Sequence, residues 1–181
     1  TPEHKCQDRV LASLPYVLEK IPNAVYLVVG GGTDERVNAV LRKHPELANS
    51  VIFAGPAPDD ERVDFYNLGD VYILPAKYEG FSIVFIESLA CGVPVVASDA
   101  YGCREGLLDG ELGRLVPPDD LRAIADAIVL ILDKKAPGPL LDREYLRRRT
   151  LEIYGMDAWD MRVKNLVELL CAPGMMTRNA A

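Results

Sequence analysis

A chain of 181 residues is long enough for one domain with a real hydrophobic core. Hydrophobic residues make up 49% and charged residues 26%, the usual balance of a soluble globular protein. The formal net charge of -7 argues against nonspecific nucleic-acid binding, which needs a basic surface. No apolar run approaches the roughly 20 residues that span a bilayer, and the polar start is unlike a signal peptide.

The four cysteines are scattered without CxxC spacing, and the chain has only two histidines. This pattern offers no visible set of zinc ligands, so no metal site is predicted. Thiols that carry no disulfide pattern indicate reduced cysteines, and we therefore expect a cytoplasmic protein.

In chain order, the first elements alternate between helix and strand. An amphipathic pattern over residues 8–21 predicts a helix that Pro15 kinks or splits. Residues 25–29 form a continuous apolar run, which is typical of a strand covered on both faces. Three glycines end this run, and Thr33 can cap the helix that follows.

The same alternation continues through the middle of the chain. Strands are predicted at residues 51–54, 71–74, 95–98 and 112–116, and helices at 59–68, 82–91, 104–108 and up to 132, the last capped by Asp119 and Asp120. Strands and helices at this spacing predict right-handed βαβ units and a parallel sheet. The expected fold is therefore a Rossmann-like three-layer α/β domain.

A Pro-rich break at residues 134–139 separates this domain from two more predicted helices, at 142–154 and 157–170. We divide the chain into a Rossmann-like domain at 1–133, C-terminal helices at 134–172 that would also pack on another domain, and a flexible tail at 173–181.

The most informative stretch lies at residues 79–94, where a loop holding Glu79 and Gly80 leads into an apolar helix that carries Glu87. Burying a carboxylate costs free energy unless a partner pairs with it or donates a hydrogen bond. The free amides at a helix start bind anions, and Gly80 would let the backbone approach a ligand closely. Together these features predict a nucleotide-diphosphate site in which Glu87 accepts hydrogen bonds from a diol such as ribose.

Plainer interpretations of these residues stay open. Glu79 also fits a solvated loop acid, and Glu87 an acid at the edge of a helix. The glycines at 30–32 do not complete a dinucleotide fingerprint because Glu35 stands where its last glycine would be. A tight turn at the cleft edge, with Gly30 beside the nucleotide, is the better interpretation. Cys91 is expected to be a small buried residue, since no base lies near it in the sequence.

From Lys5 to about Leu170 the sequence resembles the C-terminal, donor-binding half of a GT-B glycosyltransferase of family 4. The resemblance is carried by Glu-Gly-Phe-Ser at 79–82 and by Ile-Glu-Ser-Leu-Ala-Cys-Gly-Val-Pro-Val-Val-Ala-Ser at 86–98. These runs are similar to the family's Glu-x7-Glu motif and to its Gly-x-Pro-Val-Val-Ala entry into a strand. Shorter supporting matches lie at 28–30, 53–55 and 110–118, and at Trp159.

The resemblance implies a role for each matching residue. Glu79 would contact the sugar hydroxyls of the donor, Glu87 would hold its ribose, and Lys5 would steady the leaving diphosphate. Sugar hydroxyls and diphosphate would also bind the backbone amides of Phe81, Ser82, Ile83 and Val84. Two positions depart from the family pattern: Cys6 stands after Lys5 where glycine is usual, and Ser82 replaces a commoner glycine.

For the whole protein, the resemblance implies a retaining hexosyltransferase. Its substrate would be a nucleotide-diphospho-sugar, and it would need no cofactor and no bound metal. The acceptor would bind an N-terminal domain that is absent from this chain, and any membrane association would come through that half. The chain alone is expected to bind donor weakly and to transfer little or no sugar.

Three other functions are weighed against this one. A non-catalytic nucleotide-binding regulatory module would use the same fold and bind nucleotide without transfer. A sugar-nucleotide epimerase of GT-B type fits the Glu-x7-Glu stretch less well. A flavodoxin-like or receiver-like domain would need a flavin loop or an acidic phosphoacceptor cluster, and the sequence shows neither.

Overall fold

The computed structural model describes residues 5–171. The five strands are β1 (Tyr26–Val29), β2 (Val51–Gly55), β3 (Tyr72–Leu74), β4 (Val95–Ser98) and β5 (Gly113–Val116). The helices are α1 (Gln7–Leu18), α2 (Glu35–Lys43), α3 (Arg62–Leu68), α4 (Ile83–Ala90), α5 (Tyr101–Gly106), α6 (Leu121–Leu132), α7 (Gly138–Leu141), α8 (Arg143–Tyr154) and α9 (Met156–Cys171). Two 3₁₀ turns occupy Pro45–Asn49 and Leu108–Gly110. The tail predicted at 173–181 lies outside the described residues.

The sequence predicted a helix that Pro15 kinks or splits. Helix α1 is continuous with Pro15 inside it, so the split is wrong. The cap predicted at Thr33 is also wrong, because the side chain of Asp34 accepts the hydrogen bond from the Val37 amide at 2.9 Å. Both residues are good N-caps by type, and the position of the first helical turn decides between them.

Several boundaries differ from the sequence prediction. Helix α3 begins only at Arg62, α5 begins three residues before the predicted start, and the short helix α7 forms within and beyond the Pro-rich break. Asp120 alone caps α6, accepting from the Ala123 amide at 2.9 Å. Asp119 pairs instead with Arg9 at 2.8 Å and with Lys77 at 2.9 Å.

All strand pairs are parallel, as predicted, but the ladder is divided in two. Strand β1 pairs with β2, and β3, β4 and β5 pair in that order. Within the described residues, no ladder joins β1 to β3. Strand β4 is buried along its whole length, whereas Val29 at the end of β1 is 38% exposed, so the prediction that β1 is covered on both faces is wrong.

Helices lie on both faces of the ladder formed by β3, β4 and β5, which makes three layers there. Helix α1 packs against α2 and α6, and α6 also packs on β4 and β5. The other layer contains α3, α4 and α5, in which α4 packs on β4 and is itself covered by α8. The core lies between these layers, and its largest fully buried side chains include Phe85, Leu89, Leu112, Ile124 and Leu146.

The last helix, α9, is the most exposed element. It packs against α8, yet Trp159, Leu166 and Leu170 are all more than half exposed. Among the helices of residues 5–171, none has the length and apolar character that a membrane crossing requires.

Candidate functional site

The loop after β3 leads into the start of α4. Ser82 occupies the N-cap position with extended backbone, its side chain caps no amide, and the first turn contains no acid. The Phe85 amide donates to the Ser82 carbonyl at 3.1 Å, whereas the amides of Ile83 and Val84 come too early in the helix to have a carbonyl one turn before them. The helix start is therefore open to an anionic ligand.

Glu87 lies in the second turn of α4, and its side chain is 30% exposed. Its Oε1 atom accepts a hydrogen bond from Nη1 of Arg62 at 3.3 Å, and its Oε2 atom accepts one from the hydroxyl of Tyr66 at 2.7 Å. Burial, together with this bond to Glu87, raises the pKa of Tyr66, which keeps the hydroxyl protonated as a donor. The carboxylate thus has the partners that its position in an apolar helix requires.

Each oxygen of Glu87 has one protein partner. An ionised carboxylate offers about four acceptor positions in all, two on each oxygen. Arg62 and Tyr66 fill one on each, which leaves one on each for a ligand. Two acceptor positions side by side match the two hydroxyls of a vicinal diol.

Arg62 and Tyr66 were not identified from the sequence. They lie four residues apart on α3 and so share one face of that helix. The only sequence signal was this spacing, because which helix α3 would face depends on a packing arrangement that the sequence pattern does not contain.

A cavity of about 1480 Å³ brings several predicted residues together. Its lining includes five of the predicted site residues: Lys5, Gly30, Ile83, Val84 and Glu87. Arg62 and Tyr66 line it as well. The ammonium of Lys5, the open start of α4 and the carboxylate of Glu87, which keeps an acceptor position on each oxygen, therefore line the same cavity.

The other four predicted residues do not line this cavity. Glu79 and Gly80 lie in the loop, with Glu79 half-buried and Gly80 exposed, and Ser82 is buried at the helix cap. The ring of Phe81 is half exposed and packs edge-on against the ring of Tyr154, with the two centroids 5.7 Å apart.

Gly102 supports the loop from behind. A Cβ atom placed on Gly102 would lie 1.6 Å from the carbonyl oxygen of Gly80 and 2.1 Å from that of Glu79, so only glycine fits there. In the sequence, Gly102 is marked only as a glycine shortly after a predicted strand. Its close approach fixes α5 directly against the backbone of the predicted sugar-binding loop.

The segment around Lys5 has a distinctive backbone. Lys5 is exposed, and Cys6 beside it is buried with φ 53° and ψ 37°, in the left-handed region. That conformation costs an L-residue about 1–2 kcal/mol and costs glycine almost nothing. The turn at Cys6 therefore has the geometry that the family's glycine favours, although the residue differs.

Gly30 and Cys91 complete the predicted positions. Gly30 adopts φ 132°, a conformation open to glycine, and its amide donates to Gly55 at 2.8 Å. Cys91 is half-buried rather than buried, and desolvation raises the pKa of its thiol, which disfavours a nucleophilic thiolate. Across residues 5–171, no cluster of three or more His, Cys, Asp or Glu side chains could hold a metal ion.

The family model described as glycosyl transferases group 1 matches residues 1–150. Among curated relatives, the phosphatidyl-myo-inositol mannosyltransferase of Mycobacterium leprae is 38% identical over 124 residues, which cover 68% of this chain and 32% of the relative. A GDP-mannose-dependent alpha-(1-6)-phosphatidylinositol monomannoside mannosyltransferase of Mycolicibacterium smegmatis is 32% identical over 131 residues, covering 68% and 34%. The chain thus spans about a third of the length of these relatives.

Similar solved structures are GT-B glycosyltransferases, which confirms the predicted Rossmann-like α/β fold. Sucrose-phosphate synthase from Thermosynechococcus elongatus superposes with a TM-score of 0.76 at 28% identity, covering 94% of this chain and 43% of that one. Anabaena HepE, solved in complex with UDP, gives a TM-score of 0.73 at 19% identity, covering 93% and 46%. At that lower identity the likeness concerns the fold alone.

Proposed function

The chain belongs to the group 1 glycosyl transferases, and we propose that it binds the nucleotide-diphospho-sugar donor of a hexosyl transfer reaction. The observation that carries this proposal is Glu87, whose two oxygens each have one protein donor and one free acceptor position. This carboxylate shares a cavity with the open start of α4 and with Lys5. A nucleoside diphosphate offers the matching groups, a ribose diol and a charged diphosphate.

In this proposal the diphosphate binds the amides of Ile83 and Val84, and the ribose hydroxyls donate to Glu87. The chemical step breaks the bond between the anomeric carbon of the sugar and the diphosphate oxygen, so negative charge develops on the leaving diphosphate. Backbone amides and the ammonium of Lys5 would stabilise that charge. Glu79 and the Phe81–Ser82 backbone, held by Gly102, would position the sugar.

We further propose that the whole protein retains the anomeric configuration and takes its acceptor from a domain outside this chain. One fact supports a domain outside this chain: the chain spans about a third of the length of its curated relatives, which are named as mannosyltransferases. One relative is named as GDP-mannose-dependent and one similar structure was solved with UDP, so both bases belong in the test. Cys91, Cys103 and Cys171 are free thiols, which fits a reducing cytoplasm.

The first experiment is thermal melting of this chain with UDP, GDP, ADP and their sugar conjugates. Ligand at 100 times its Kd stabilises a protein by about 2.7 kcal/mol, which is about 5–10 °C for a domain of this size. We expect a shift with one nucleotide class and its loss in Glu87→Ala. The control is Glu111→Ala, because Glu111 also accepts from a tyrosine and an arginine, and its side chain is 38% exposed, but it lies outside the cavity lining.

An equal loss in both variants, or no shift at millimolar ligand from a folded chain, would contradict the donor-site assignment. Sugar transfer is then assayed with this chain alone and with the longer protein that contains it. We expect transfer from the longer protein only. Nucleotide binding without transfer from that longer protein would favour the regulatory module instead.

A further inference from the structure

The loop that carries Glu79 meets helix α8 through Phe81. The ring of Phe81 lies at 63° to the ring of Tyr154, and the two ring centroids are 5.7 Å apart. Aromatic pairs prefer this edge-to-face arrangement, because the positive edge of one ring meets the negative face of the other. Since Phe81 is 45% exposed, this contact restrains a side chain that water would otherwise surround on several sides. The pair therefore fixes the direction in which the Phe81 side chain leaves the loop.

The other end of the Tyr154 side chain is held by α5. Its hydroxyl donates a hydrogen bond to the carbonyl of Glu105 at 3.1 Å. Burial and the nearby charge of Glu105 raise the pKa of Tyr154, so the hydroxyl keeps the proton that it donates. Helix α5 also contains Gly102, which lies against the carbonyls of Glu79 and Gly80. The loop, α5 and Tyr154 thus each contact the other two.

The end of α8 keeps Tyr154 in place. Tyr154 is the last residue of this helix, and the amide of Gly155 donates to the carbonyl of Leu151 at 2.9 Å. From α9, Nη1 of Arg162 donates to the carbonyl of Ile153 at 2.6 Å. Helix α8 itself packs along α4, whose start is the predicted anion site. The ring that contacts the loop is therefore carried by a helix end that is bonded on both sides.

The pair of Phe81 and Tyr154 lies at the sugar end of the proposed donor site. The groups proposed for the diphosphate and the ribose line the cavity of about 1480 Å³, whereas neither aromatic residue does. Phe81 is two residues from Glu79, and its backbone is among the groups proposed to hold the sugar. A change at Tyr154 should therefore affect the contacts with the sugar and leave those with the nucleotide unchanged.

Given the donor site proposed above, we propose that Tyr154 is a positioning residue for the donor sugar. Its ring holds Phe81, so that the Phe81 backbone and the Glu79 carboxylate have one arrangement before the donor binds. A loop that is ordered in advance loses less conformational freedom on binding. The preference for a nucleotide-sugar over the free nucleotide thus depends on Tyr154, which contacts the loop and not the ligand.

The first test uses the chain without ligand. Labelling with 4-fluorophenylalanine gives one fluorine NMR signal for each of the four phenylalanines, and the signal of Phe81 is assigned by its loss in Phe81→Leu. We expect Tyr154→Leu to move that signal toward the position of free fluorophenylalanine, because the neighbouring ring is lost. The control is Tyr145→Leu, since Tyr145 is also half-buried on α8 and its hydroxyl also donates at 3.1 Å, but to Glu111 and away from the loop.

The second test measures by calorimetry the Kd of UDP, GDP and their hexose conjugates. An edge-to-face aromatic pair corresponds to about a two- to tenfold change in affinity, and Tyr154→Leu should raise the Kd of the sugar conjugate by that factor. The Kd of the free nucleotide should stay at its parent value, and Tyr154→Phe, which keeps the ring pair, should keep most of the preference. Phe81→Leu should lose as much as Tyr154→Leu, and the double variant no more than either, because both act through one contact.

Several outcomes overturn this proposal and leave the donor site standing. These are an unmoved Phe81 signal in Tyr154→Leu, an equal effect of Tyr145→Leu, and equal losses of affinity for the nucleotide and its sugar conjugate, which would mean a merely structural role. Parent chain that binds none of these ligands would contradict the proposed function and this proposal with it. If Tyr154→Leu does not fold, Phe81→Leu makes the same comparison of Kd values from the loop side of the contact.

Discussion

The hydrogen bond from Tyr66 to Glu87 should be worth much more than a surface bond of the same kind. It is 2.7 Å long, and its tyrosine lies partly buried between α3 and α4. A hydrogen bond to a charged group contributes about 1.5–3 kcal/mol. Because 30% of the Glu87 side chain is exposed, water can replace part of the bond, and we reduce this range to about 1–2 kcal/mol.

A double-mutant cycle measures that coupling. The variants are Tyr66→Phe, Glu87→Gln and the two together, with free energies of unfolding from urea titration. The matched control is Tyr145→Phe with Glu111→Gln, where the tyrosine hydroxyl donates to the carboxylate at 3.1 Å on an exposed surface. There we expect a coupling of about 0.5 kcal/mol or less.

A coupling for Tyr66 and Glu87 below about 0.3 kcal/mol, the usual error of additivity, would refute this reasoning. So would equal couplings in the two pairs. Tyr66→Phe should also weaken nucleotide binding severalfold, because the carboxylate loses one of the two donors that orient it toward the diol. If Tyr66→Phe binds nucleotide as well as the parent chain, the hydroxyl has only a structural role.

Three further predictions concern neighbouring parts of the structure. Gly102→Ala should destabilise the chain by about 1–3 kcal/mol and reduce the melting shift caused by nucleotide. Gly106→Ala is the control, because a Cβ atom there makes only an ordinary contact at 3.5 Å, and it should have neither effect. Equal melting curves for the two variants would contradict the close approach at Gly102. Cys6→Gly should be more stable to urea than Cys6→Ala by about 1 kcal/mol, since only alanine is strained at φ 53°, and the reverse order would remove the left-handed turn. Hydrogen bonds from Lys77 and Arg9 hold the pKa of Asp119 below its usual value of 3.8. The stabilisation from Asp119 is therefore present above pH 3.8 and is lost as the pH falls further. Asp119→Asn should make the melting temperature less dependent on pH in the acid range, and an unchanged pH dependence would refute this.

The sequence predicted what depends on local pattern. The apolar run of β4 needs burial on both faces, and the structure buries all four residues. The acid in an otherwise apolar α4 required a partner, and the structure provides one on each carboxylate oxygen. In both cases the free-energy cost of the wrong environment can be worked out from the residues alone.

What the sequence did not predict depends on contacts between distant segments. Arg62 and Tyr66 become site residues only because α3 packs against α4. The division between β1 and β3 is a property of pairing, and a strand's own residues do not state which edge has a neighbour. Gly102 resembles many turn glycines until its approach to the Gly80 carbonyl is measured.

Helix α4 has a built-in partner at one end only. Nη1 of Arg147 on α8 donates to the carbonyl of Ala90 at 2.6 Å, so a cation neutralises the negative end of the helix. At the other end Ser82 caps no amide with its side chain, and the first turn has no acid. In the free protein the C-terminal end of α4 therefore has a charged partner, and the partial positive charge at its N-terminal end has none from the first turn or the N-cap side chain. An anion that binds at the start of α4 would compensate the N-terminal end of the helix dipole, as Arg147 of α8 already compensates its C-terminal end.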